Sequence, residues 1–105
     1  MSFTTLGFAP TLLPCFLSAI NDKGYTAPTA IQTAAIPAIL QGRDVLGSAQ
    51  TGSGKTAAFG LPLLQQITER PARSGRTTSA LILVPTRELA AQVGEALVGF
   101  AKYLP

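Results

Sequence analysis

Residues 44–56 read Asp-Val-Leu-Gly-Ser-Ala-Gln-Thr-Gly-Ser-Gly-Lys-Thr, and the expected fold is built outward from them. Asp44 to Ser48 is a short strand candidate centred on Val45 and Leu46. It runs straight into a glycine-rich turn, and from Lys55 a helix is expected to about Thr68, kinked near Pro62. Leu61, Leu64 and Ile67 share one apolar face of that helix. The turn matches G-x-x-x-x-G-K-[ST] except at Ala49, where the first glycine would stand.

Each position of Ala49-Gln50-Thr51-Gly52-Ser53-Gly54-Lys55-Thr56 has a chemical reason. Gly52 and Gly54 let the backbone turn so that successive N–H groups point inward and cradle phosphate oxygens. The helix N-terminus adds partial positive charge. Lys55 brings a full charge to β- and γ-phosphates, and the Thr56 hydroxyl is placed to ligate Mg²⁺. The loop alone does not say which nucleotide is held or what its energy drives, because unrelated families share it.

Outward from the loop, Ala80 to Val84 (ALILV) is a continuous apolar run typical of a strand covered on both faces. Thr86 then caps a last helix carrying Leu89, Val93, Leu97 and Phe100 on one face. Glu69 to Ser79 is a loop of Pro, Gly, Ser and three arginines, and Arg70, Arg73 and Arg76 read as solvated. Upstream, Pro10 and Thr11 open an apolar-periodic helix to about Ile20, stopped by Asn21 to Gly24. A second helix runs from Ala30 to about Gln41, bent or ended early by Pro37 and closed by Gly42 in the left-handed conformation. Two strands with a helical crossover imply a parallel, right-handed βαβ unit. The expected fold class is therefore α/β, a parallel sheet with flanking helices of which only the first two strands are present.

The composition narrows the possibilities. The 105 residues are 47% AVILMFWYC and 12% charged, the latter about half the usual share. That excludes a disordered charged tail. One Cys and no His exclude an internal disulfide, histidine catalysis and a multi-ligand Cys/His metal site. Cys15 reads as a small core residue. A net charge of +3 points only weakly to an anionic partner. Leu6 to Ile20 is apolar, but no Lys or Arg precedes it and Pro10 and Pro14 interrupt it, so it is not a signal peptide. No stretch is long enough for a membrane helix. The cytoplasm is the expected compartment.

Two further segments carry a family resemblance. Gly24-Tyr25-Thr26-Ala27-Pro28-Thr29-Ala30-Ile31-Gln32 resembles the Q motif of DEAD-box RNA helicases. Pro85-Thr86-Arg87-Glu88-Leu89-Ala90 resembles that family's motif Ia, and residues 49–56 its motif I. Three motifs in the family's order place the whole of residues 1–105 as the N-terminal part of a RecA-like first domain of such a helicase.

The resemblance implies roles for particular residues. Gln32 would read the adenine edge and select ATP, with Tyr25 and Thr26 completing the base pocket. An upstream aromatic residue would cover the adenine face; Phe3 and Phe8 are the candidates, with Phe3 favoured by its Ser-Phe-x-x-Leu-Gly context. Lys55 and Thr56 would be the catalytic residues of the phosphate loop, with Thr56 also the metal ligand. Pro85, Thr86 and Arg87 would contact the backbone of single-stranded RNA, which carries no base information. Ala30 stands where the family often has Pro, which loosens the helix start without removing a ligand. Plainer readings accompany these roles. Thr29 and Gln32 also form a T-x-x-Q capping box, Thr86-Arg87-Glu88 also suits an ordinary helix start, and Tyr103 suits packing.

The acids are Asp22, Asp44, Glu69, Glu88 and Glu95, and no two form an Asp-Glu pair after a strand. The pair that would hold the metal and activate water is therefore missing, as is the arginine of a second domain. The chain reads as a fragment of an ATP-dependent RNA helicase, able to bind ATP, Mg²⁺ and RNA phosphates but not to turn ATP over. Open strand edges make the isolated chain marginal, molten or self-associating. Two alternatives are another P-loop NTPase and a stand-alone nucleotide- or RNA-binding module.

Overall fold

The computed structural model describes residues 2–47, 54–70 and 79–105. Its elements are a 3-10 turn at Phe3–Thr5 and four helices: α1 Leu13–Asp22, α2 Ala30–Leu40, α3 Lys55–Glu69 and α4 Arg87–Phe100. Three helix starts follow local chemistry. Pro14 sits in the first turn of α1, where its missing N–H costs nothing. Thr29 and Gln32 cap α2 reciprocally, and the Thr86 hydroxyl accepts from Leu89 N–H at 3.1 Å to cap α4.

Both internal prolines are accommodated. Pro37 lies inside α2 and Pro62 inside α3, and each helix continues past it to Leu40 and Glu69. The early end expected at Pro37 does not occur. Gly42 takes φ +82° just beyond α2, and its N–H bonds Ile39 C=O at 2.9 Å. In α1 the helix starts at Leu13, two residues beyond Thr11, after a turn built on Ala9 C=O.

The core lies where the N-terminal segment crosses the helices. Phe3, Leu6, Phe8, Leu12 and Phe16 join Ile20, Ile36, Ala57, Leu61 and Phe100 in one buried cluster. Phe8 and Phe16 pack with ring centroids 5.0 Å apart. Gln65 of α3 anchors this crossing: its Oε1 accepts from Ala9 N–H at 2.8 Å. Cys15 is half-buried at the edge of the core.

The expected parallel α/β sheet is not formed among the described residues. Among the described residues there is no strand, and the two candidate segments, 44–47 and 80–84, form no regular element. Ser48, the last residue of the first candidate, lies outside the described residues. Leu46 is fully exposed, and Leu81 and Leu83 are 80% and 84% exposed. Chain order alone explains the error. A helical crossover fixes handedness once two strands share a sheet, but it does not make them neighbours, and a ribbon of two strands is barely stable by itself. The helices instead bury their apolar faces on one another and on residues 3–12. Alternation survives in the second segment, where Ile82 and Val84 are half-buried beside Val93 and Leu97 of α4.

Candidate functional site

A cleft of about 720 Å³ opens between three walls. The first is the segment from Gly24 to Ala27, continuing through Thr29 and Gln32. The second is the N-terminal end of α3, from Gly54 to Ala57. The third is a stripe of α4 formed by Leu89, Gln92, Ala96 and Phe100.

Gln32 joins the first two walls. Its side chain is 2% exposed. Oε1 accepts from Thr29 N–H at 2.9 Å, and Nε2 donates to Gly54 C=O at 3.2 Å. The capping box is therefore real, and a second bond ties the same amide to α3. A glutamine amide has two acceptor sites and two N–H donors, and among the described residues these two bonds use one of each. An acceptor beside a donor complements an edge that presents a donor beside an acceptor.

Gly54 is the N-cap of α3 at φ +87°, a left-handed conformation. A Cβ there would run into the Gln32 amide and lie 3.2 Å from Thr29 Oγ1. Glycine is thus required both by backbone conformation and by space. Among the described residues no side chain caps this helix, and its N-terminal end borders the cleft, where unpaired N–H groups suit an anion. Lys55 and Thr56 follow on the first turn and also line the cleft.

The structure brings Tyr25, Thr26, Gln32, Gly54, Lys55 and Thr56 to one cleft. Ala49, Gln50, Thr51, Gly52 and Ser53 lie outside the described residues. Phe3 and Phe8 are buried in the core and neither lines the cleft. Pro85, Thr86 and Arg87 are exposed at the N-terminal end of α4, one turn before Leu89. Arg70 donates from Nη1 to Ser79 C=O at 3.5 Å on the surface, while Arg73 and Arg76 lie outside the described residues.

Sequence reasoning missed the α4 wall. Leu89, Gln92, Ala96 and Phe100 recur at i, i+3, i+7 and i+11, a second stripe turned slightly from the Leu89–Val93–Leu97 face. Gln92 was the available signal, a polar residue within an otherwise apolar stripe.

The family model of the DEAD/DEAH box helicases matches residues 29–105. The chain is 51% identical over 104 residues to the ATP-dependent RNA helicase DeaD of Buchnera aphidicola, covering 99% of this chain and 16% of that protein. It is 56% identical over 87 residues to the ATP-dependent RNA helicase SrmB of Escherichia coli, covering 83% of this chain and 20% of that one. The crystal structure of the RNA helicase Prp28 from Chaetomium thermophilum bound to ADP is similar with a TM-score of 0.86 at 45% identity. That likeness covers 98% of this chain and 24% of Prp28. The chain thus spans no more than a quarter of the length of these relatives. With the family model matching well over half of its residues, the chain belongs to the DEAD/DEAH box helicase family.

Proposed function

We propose that this chain supplies the nucleotide-binding start of an ATP-dependent RNA helicase. The observation that supports the reading is the Gln32 amide bonded to Gly54 C=O at 3.2 Å, which ties the buried glutamine to the N-terminal end of α3. The second donor and acceptor of that amide suit the adenine edge, which offers an N–H donor and a ring-nitrogen acceptor. Tyr25 and Thr26 border the base, and the first N–H groups of α3 with Lys55 hold the phosphates. The Thr56 hydroxyl is the ligand for Mg²⁺, which when bound neutralises developing phosphate charge.

Thr86 and Arg87, with Pro85 before them, would contact RNA phosphates at the exposed N-terminal end of α4. Such contacts position a strand without reading its sequence. Among the described residues no helix is long and apolar enough to cross a membrane. The reading places the site of action on RNA in the cytoplasm. The chain by itself would bind ATP without hydrolysing it, because its five acids include no neighbouring Asp-Glu pair. Self-association is part of the reading: Leu46, Leu81 and Leu83 present exposed apolar side chains on segments that form no regular element among the described residues.

Calorimetric titration of the chain with Mg-ADP and Mg-GDP tests this. Binding of ADP well above GDP, lost in Lys55→Ala, is the expected result. Equal binding of the two would assign the site to another kind of P-loop NTPase. Tight RNA binding without nucleotide binding would instead favour a stand-alone RNA-binding module.

A further inference from the structure

Residues 26–28 bridge α1 and α2 with no backbone hydrogen bond of their own among the described residues. Their course depends on their two anchors. At one end Thr29 and Gln32 hold the start of α2. At the other, Gly24 at φ +78° closes α1, with Gly24 N–H bonded to Asn21 C=O at 3.0 Å and Tyr25 N–H to Ile20 C=O at 3.2 Å. Wherever the C-terminal end of α1 sits, this wall of the cleft follows.

That end is fastened to the C-terminal end of α4 by four separate contacts. The Tyr103 hydroxyl donates to Asp22 Oδ2 at 2.5 Å, and Lys102 Nζ lies 3.5 Å from the same oxygen. Lys23 Nζ stands 4.9 Å above the Phe100 ring, and the Tyr25 ring packs 6.5 Å from it. Gly99 permits the approach, because a Cβ there would come within 2.9 Å of Lys23 Nζ.

We propose that Asp22 and Tyr103 form a clasp that holds the base-facing wall of the cleft in register with Gln32, making Tyr103 a positioning residue for nucleotide selectivity. This rests on the nucleotide reading of the cleft. Asp22 and Tyr103 line no part of the cleft, so they act only through residues 24–27. The Asp22 carboxyl lies below its ordinary pKa, first because of the Tyr103 hydrogen bond, in keeping with a bond made to the charged form.

The clasp acts on the base side and not on the phosphate side, so two ligands separate its role from general stability. Tyr103→Phe is expected to weaken Mg-ADP binding by about three- to tenfold and to narrow the ADP-over-GDP preference. Inorganic pyrophosphate, which has no base to meet residues 24–27, is expected to bind as in the unmodified chain. Asp22→Asn keeps an acceptor oxygen for Tyr103 and is expected to retain most of the preference, whereas Asp22→Ala is expected to behave like Tyr103→Phe. Equal losses for ADP and pyrophosphate, or no loss for either, would overturn the clasp. An unmodified chain that binds pyrophosphate but does not distinguish ADP from GDP would overturn the nucleotide reading beneath it.

Discussion

Gly54→Ala probes the joint on which the cleft depends. Gly54 and Gly42 share nearly the same backbone, at φ +87° and +82°. Either alanine pays left-handed strain of about 1–2 kcal/mol, partly offset by a less flexible unfolded chain. Space distinguishes them. Nothing lies within 4 Å of a Cβ at Gly42, whereas at Gly54 the new methyl group meets the Gln32 amide. The end of a glutamine side chain usually moves aside cheaply, but this one is held by bonds to Thr29 N–H and Gly54 C=O. Displacing it forfeits both, about 0.5–1.5 kcal/mol each. Gly54→Ala should therefore cost about 1–3 kcal/mol more than Gly42→Ala. Urea melts followed by far-ultraviolet circular dichroism measure the difference. In a double-mutant cycle with Gln32→Ala the excess should vanish, because the group in the way is gone. Equal costs at the two glycines, or additive effects in the cycle, would show that Gln32 does not lock the helix start.

Three other perturbations have defined outcomes. Gln65→Leu keeps the bulk beneath the N-terminal segment but orphans Ala9 N–H, so the melt should fall by about 1–3 kcal/mol and residues 3–12 should exchange amide protons faster. Thr86→Ala removes the side-chain cap of α4 and should cost about 1 kcal/mol, which Thr86→Ser restores in the same urea melt. The clasp sets a pH window. Tyr103 titrates above its ordinary value, first because of its bond to Asp22, so its stabilisation is complete below about pH 10 and lost as pH rises through the raised pKa. Asp22 titrates below its ordinary value, so its share is present above about pH 4 and lost as pH falls through the lowered pKa. Tyrosinate absorbance should show a late-titrating phenol that Tyr103→Phe removes, and an unchanged alkaline curve would contradict the clasp.

Local patterns carried most of the helical content. Capping residues Thr29 and Thr86, Pro14 near a first turn and the glycines at 24 and 42 marked helix ends, because each acts on backbone groups within a few residues. The site was legible to the same extent: Gln32, Lys55 and Thr56 are recognisable from motifs whose spacing is local. Phe3 and Phe8 show the limit. Their chemistry suits covering a base, but nothing local to residues 3–8 says which side of α1 and α3 they will meet, and they fill the core.

The family, the helix-forming segments and the glycine-led start of α3 were all readable along the chain, since they depend on side chains near one another in sequence. Tertiary structure decided what depends on distant partners. Val45, Leu46 and the run Ala80–Val84 have strand-like composition, yet a strand exists only where a neighbour completes its hydrogen bonds, and here none does among the described residues. Only packing brought Gln92, Ala96 and Phe100 to the cleft, and only packing joined Tyr103 to Asp22 across 81 positions of the chain. Such contacts depend on where whole helices cross, which no short stretch of sequence encodes.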